Sequence, residues 1–284
     1  RHIAFTVSAI DAAANKTRSR IWVATIDGSS APRPLTDGQR NDGDPSWSPD
    51  GTRLAFTSHR GEKESHTTIH LLPFSVPGEV VTIATCKGGA AGLRWSPDGT
   101  RIAFTSDALS DRYDIDDVAK QPPRRITRFF SSLDSEGWIH DRPSHVFVVR
   151  ADGTTDPRDL TPGEFAFSSP SWLPDSSGLV CNGAGHDTWD RDWAQDLYLV
   201  DLNGERRRLT GTDGMYYAPS VSPDGTRVAF VGTRTPMLGG QNGRVGVLEL
   251  SSGHWDFLET GIDRTFAPYP YLQAPIWSDG ALLV

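Results

Sequence analysis

A chain of 284 residues with 28 Lys and Arg against 36 Asp and Glu carries a net charge of -8 and a pI near 5.4, a balance that argues for a soluble protein and against broad, non-specific nucleic-acid binding. No apolar run approaches the roughly 18 residues a membrane helix needs and no signal-peptide pattern opens the chain, so no membrane association is expected. Two cysteines, Cys86 and Cys181, exclude an internal disulfide framework and a four-cysteine metal site.

Residues 1–5 read as the tail of a phrase that stands whole at 45–56, Pro-Ser-Trp-Ser-Pro-Asp-Gly-Thr-Arg-Leu-Ala-Phe. It returns at 93–104, 170–181 and 219–230, and in worn form at 275–284. Pro-Asp-Gly predicts a tight turn, because it combines a fixed φ, a carboxylate that bonds turn amides and a residue free to take positive φ. The segment after it alternates with period two: Leu54, Ile102, Leu179 and Val228 share a face with Phe56, Phe104, Cys181 and Phe230, and Ala55, Ala103 and Ala229 hold the other. Large on one face, small on the other and apolar on both, such a strand is expected between two neighbouring sheets. Cys181, where other copies carry Phe, reads as a small buried hydrophobe.

Between the phrases two further strands recur, at 21–26 and 33–36, 68–74 and 80–84, 146–149 and 158–161, 196–201 and 206–210, and 244–250 and 255–259. Four strands per unit, here termed a to d, with a and b in the signature, predict an all-β β-propeller of four-stranded antiparallel blades. The units fall near 1–46, 47–94, 95–171, 172–220 and 221–276, with the start of another at 277–284. Six b strands stand against five each of a, c and d, so an incomplete ring is expected, about five to six of roughly seven blades. Trp47, Trp95, Trp172 and Trp277 on the a strands read as packing between blades.

The a-to-b and c-to-d turns are short, whereas the b-to-c and d-to-a connections are long, and the longest is an insertion at 106–145. Function is expected at that second end, on long loops held by a rigid scaffold. The insertion strings together acidic, basic and aromatic blocks. Arg124, Arg125, Arg128, Glu136, Trp138, Asp141 and Arg142 are candidates for the rim of a substrate cavity, the arginines facing a carboxylate-bearing partner or substrate. The competing expectation is an extra hairpin stapled by its own ion pairs against a neighbouring domain. Residues 185–193 and 41–44 carry clustered acids but lack a calcium-loop pattern; the first reads as a polar loop with two anchoring tryptophans, Trp189 and Trp193, and the second as a turn. No metal or cofactor is expected, and no Gly-x-Ser-x-Gly elbow occurs, so no catalytic residue is assigned.

The phrase at 45–56 resembles the WD40-like repeat of Tol-system propellers and of the N-terminal propellers of the prolyl oligopeptidase family. The insertion, with Pro123-Arg124-Arg125-Ile126-Thr127-Arg128, Asp134, Gly137-Trp138 and Asp141-Arg142 before His145-Val146-Phe147-Val148-Val149, is similar to the segment that acylaminoacyl-peptidase-like members carry there. That resemblance implies the substrate-gating half of a cytoplasmic serine exopeptidase or oligopeptidase. Its partners would be its own C-terminal α/β-hydrolase domain, expected downstream, and short peptides. It leaves homo-oligomerisation open. The glutamate pair with which the dipeptidyl-peptidase branch anchors a substrate amine has no counterpart here. The alternative is a non-catalytic, protein-binding scaffold of the Tol-system type.

Overall fold

The computed structural model describes residues 1–59, 66–113, 115, 117–134, 137–236, 241–266, 273–279 and 281–284. The chain divides into two compact units, Arg1–Ser106 with Val148–Arg158, and Asp107–Phe147 with Asp159–Val284. Apart from a 3-10 turn at Val118–Lys120 and one helical turn at Trp189–Asp192, the regular structure of the described residues is β. Four sheets have four strands each, preceded by one of three and followed by one of two. These are the antiparallel blades of an incomplete β-propeller, as the repeat predicts.

In the first unit, strands Asp42–Trp47, Arg53–Ser58, Thr67–Pro73 and Val81–Cys86 pair in that order, and Ala91–Trp95 pairs with the strand that starts at Arg101. The three-stranded sheet departs from expectation. Its first hairpin runs from His2–Asp11 into Lys16–Thr25 in unbroken register, well past Phe5 and back before Ile21. In the second unit, Phe167–Trp172, Gly178–Gly183, Asp196–Asp201 and Arg206–Arg208 make one blade, and Met215–Val221, Arg227–Thr233, Arg244–Glu249 and Trp255–Phe257 the next.

Apolar residues on both faces of the b strands are buried as expected: Leu54, Ala55 and Phe56 are fully covered, and so are Val228, Ala229 and Phe230. Val180 and Leu197 of one blade join Tyr216, Val228, Phe230, Leu248 and Phe257 of the next in a single cluster. The core therefore lies between blades. Cys86 and Cys181 are buried within it, and burial pushes both thiols up to about 12. Neither is expected to react with a thiol reagent at neutral pH until the chain is unfolded, since the thiolate is the reactive form. Stoichiometric labelling of the native protein would contradict this.

The signature turn is a small hydrogen-bonded unit. Ser48 Oγ donates to Asp50 Oδ1 (2.6 Å) and accepts the Arg53 amide (3.0 Å), while Asp50 also takes the Thr52 amide (3.0 Å) and Gly51 turns the chain at φ +69°. Ser222, Asp224, Thr226 and Arg227 repeat it. In the copy at Asp175, Leu173 removes the serine half and Ser176 takes the glycine's place at φ +60°. The serine hydroxyl first, then the threonine amide, holds the carboxyls of Asp50 and Asp224 down to about 2 from the ordinary 3.8. A depressed folded-state value contributes stability that is fully present above pH ~4 and is lost as pH falls toward 2. Carboxyl NMR titration is expected to find both groups still ionised at pH 3, and midpoints near 3.8 would refute it.

Between the turns, the tryptophans join successive blades. Trp95 donates its indole N–H to the Ser46 carbonyl (2.9 Å), and the Arg53 guanidinium covers its ring at 4.8 Å. Trp277 does the same to Ser220 (2.9 Å) under Arg227 (4.9 Å). Where Val221 replaces tryptophan, its amide bonds Ser171 Oγ instead (3.0 Å). Trp95→Phe is expected to lower stability by about 1–2 kcal/mol, from the lost hydrogen bond and a weaker cation–π contact. A urea melt displaced by less than ~0.5 kcal/mol would reduce the tryptophan to bulk packing.

Candidate functional site

The insertion lies in the second unit from residue 107 onward. Its base is closed by Ser144 Oγ donating to Asp107 Oδ1 (2.7 Å) and by the Ala108 amide donating to the Pro143 carbonyl (2.9 Å). Within it Ser132–Leu133 pairs with Gly137–Trp138, and Gly137 adopts φ +76°. The amides of Ile139 and His140 then converge on the Ser131 carbonyl.

Arg124 is the hub. Its Nε donates to Asp141 Oδ2 (2.7 Å) and its Nη1 to Gln121 Oε1 (3.2 Å), and the guanidinium lies between the rings of Tyr113 (4.3 Å) and Trp138 (5.3 Å). Both members of the Arg124–Asp141 pair are largely covered, with 20% and 11% of their side chains exposed. The expectation of a hairpin stapled by its own ion pair thus describes this half of the insertion.

The stretch 128–130 reaches across to the b-to-c loop of the following blade. Arg128 Nη1 donates to the Asp187 carbonyl (2.8 Å), the Phe129 amide to Asp190 Oδ2 (2.7 Å), and Phe130 meets Trp193 edge to face at 4.5 Å. That loop is preformed. Asp192 is held by Thr188, His186 (2.9 Å) and the Ala194 amide (3.0 Å) around the turn Trp189–Asp192. Burial opposes ionisation of Asp192, but the bonds from Thr188 and His186 outweigh it and lower its pKa. Of the clustered acids, Asp192 is committed to these internal bonds and Asp190 Oδ2 to the Phe129 amide.

On the far side, His145 is buried with Nδ1 2.7 Å from Asp159 Oδ2 and Nε2 3.1 Å from the Gly163 carbonyl. Both ring nitrogens face oxygen, which pins the d-to-a turn that carries Glu164. These three connections border an open cleft of about 580 Å³. It is lined by Ala108, Ser110, Thr127, Arg128, His140, Asp141 and Pro143 of the insertion, Gly163 and Glu164 of the d-to-a turn, and Trp189 of the b-to-c loop. Within the second unit, every cleft residue comes from a b-to-c or d-to-a connection, the end where function is expected.

The candidate rim residues separate. Arg128 and Asp141 line the cleft, while Arg124 and Trp138 stand behind Asp141 and brace it. Arg125 is exposed and Arg142 half-buried, neither of them among the lining groups. Glu136 lies outside the described residues. Thr127, His140, Glu164 and Trp189 join the site without having been candidates. Glu164 follows a Leu-Thr-Pro-Gly segment that reads as an ordinary strand end. Trp189 sits in a loop whose aromatics read as anchors.

No family model matches the chain. It is 26% identical over 281 residues to a dipeptidyl-peptidase 5 of Porphyromonas gingivalis, a match covering 92% of this chain and 39% of that protein. Among solved structures it is similar to an acylaminoacyl peptidase of Pyrococcus horikoshii (TM-score 0.70, 17% identity, 93% of this chain and 38% of that one). It is also similar to TolB of Acinetobacter baumannii (TM-score 0.55, 19% identity, 90% and 52%). The chain spans about two fifths of the length of the curated relative. The blade order and the similarity to solved peptidase and TolB structures together place this chain among β-propellers of the kind seen in those proteins.

Proposed function

We propose that this propeller admits and holds substrate for a serine exopeptidase or oligopeptidase of the acylaminoacyl-peptidase-like kind, working with an α/β-hydrolase domain supplied by the rest of the protein. The observation that carries the proposal is the cleft. An insertion absent from the sibling repeats borders an open, polar and aromatic-lined space. Its volume falls in the range that binds small ligands and is far too small for a folded protein. The sequence similarity to a dipeptidyl-peptidase supports the same reading. Two buried, unpaired thiols accord with a cytoplasmic setting, which belongs to the proposal. Among the described residues no helix is long and apolar enough to cross a membrane.

The test uses the whole natural protein that contains this chain, assayed on N-acetylated and free tripeptide anilides and on a folded protein of similar sequence content. Hydrolysis of the peptides with the folded protein spared is expected. Equal digestion of both would remove the gating role. Absence of any hydrolysis would favour the non-catalytic scaffold.

A further inference from the structure

Resting on the reading of the cleft as a peptide site, we propose that it recognises a carboxylate of the peptide, with Arg128 as the group that contacts it. The hydrogen-bonding inventory of the walls points this way. Ser110, Thr127, Arg128 and His140 line the cleft and can all donate. Two carboxylates oppose them. Asp141 is already neutralised by Arg124 at 2.7 Å in a largely covered pair. Glu164 is 84% exposed and stands 3.7 Å from Arg128 Nη2, a solvated contact of the weak surface kind that a bound anion can replace.

Arg128 itself is set up for the role. Its Nη1 bond to the Asp187 carbonyl fixes the plane of the guanidinium without spending its charge, and only 25% of the side chain is exposed. A planar fork held in place by a neutral carbonyl suits two-pronged binding of a carboxylate. Among the described residues that line the cleft, a peptide amine would find Glu164, itself beside a cation, as the one carboxylate not held in a covered pair. Arg124 acts through Asp141 as a positioning residue.

The carboxylate has two sources, a free C-terminus or an acidic side chain. Isothermal titration of the whole natural protein that contains this chain, with any peptidase activity blocked by a serine-directed reagent, against acetyl-Ala-Ala-Ala, its C-terminal amide, and acetyl-Ala-Asp-Ala amide separates them. Binding of the free acid at least about tenfold tighter than its amide is expected, and recovery of affinity in the Asp-containing amide would assign the side chain as a second source. Equal affinity for all three peptides would overturn the proposal while leaving the cleft a peptide site. No binding of any peptide would overturn both. Arg128→Ala and Arg128→Lys are each expected to weaken the acid about tenfold or more, the second because charge survives but the fork does not. Lys120→Ala, in the same insertion, should change nothing. An unchanged acid-to-amide ratio in both Arg128 variants, with circular dichroism showing them folded, would refute the role of Arg128.

Discussion

Replacing Asp196 by alanine is expected to destabilise the protein by about 3 kcal/mol, because it removes a fully buried carboxylate and leaves its several charge-assisted donors without an acceptor at once. Asp196 Oδ1 accepts the Thr210 hydroxyl (2.6 Å) and the Thr212 amide (2.8 Å), and Oδ2 accepts the Thr212 hydroxyl (2.6 Å). Thr210 Oγ1 in turn accepts the Leu197 amide (3.1 Å), so the network ties the start of strand c to the end of strand d. Thr161 serves the Val146 amide in the same way (2.9 Å), and Thr36 the Ile21 amide (3.1 Å). The device belongs to the repeat, and the buried acid is this blade's addition to it. Asp196→Asn should lose less, since one carboxamide oxygen still accepts while its NH2 meets donors. Arg244→Ala, which breaks a 2.8 Å pair with a 90%-exposed Glu259, is expected to cost ~0–1 kcal/mol. Urea denaturation of the three variants provides the comparison. A loss below 1 kcal/mol for Asp196→Ala would mean that the donors find water instead, and would reduce the network to a surface feature.

The blades were legible in the sequence because their turn and their b strand obey local rules. Pro-Asp-Gly and the alternation after it mean the same thing in every copy, whichever blade lies alongside. Features set by register were not legible. In each of the four four-stranded blades the a strand carries a bulge at a residue with positive φ three places before the tryptophan position: Asp44, Gly92, Ser169 and Ala218. Four residue types share that conformation, so pairing with strand b imposes it rather than intrinsic preference. The hairpin extension at 6–20 escaped notice for a related reason. Its pairs, such as Ser8 with Ser19, are solvated on both faces and leave no apolar alternation to find. At the cleft, composition pointed to the insertion and its arginines. Which arginine faces the space depends on partners far away in sequence. Arg124 is turned aside by Asp141, 17 positions on, and Arg128 is held open by the Asp187 carbonyl, 59 positions on. Glu164 and Trp189 enter from other connections altogether.

Phe230→Ala is expected to cost about 3–5 kcal/mol, the largest loss of any single apolar truncation anticipated here. The ring is fully buried and meets Tyr216 (5.5 Å), Trp255 (5.6 Å) and Phe257 (6.0 Å). It lies directly on its cross-strand partner Gly246, where an added Cβ would stand 2.3 Å from Phe230 Cζ. Opposite positions on strands b and c therefore share one volume, and the copies divide it differently. Phe56 stacks on its cross-strand partner His70 at 5.3 Å, Cys181 pairs with Tyr198, and Phe230 has only a glycine opposite it on strand c. This explains why Cys181 can stand where other blades carry phenylalanine: Tyr198 supplies the missing ring from the neighbouring strand. Gly246→Ala alone should cost about 1–3 kcal/mol by overpacking. In Phe230→Leu the shorter side chain leaves room, so Gly246→Ala added to that background should be close to neutral, giving a coupling of ~1–2 kcal/mol between the two sites. Additive losses in a denaturation cycle would show that the two positions relax independently and that the paired-volume account of the blades is wrong.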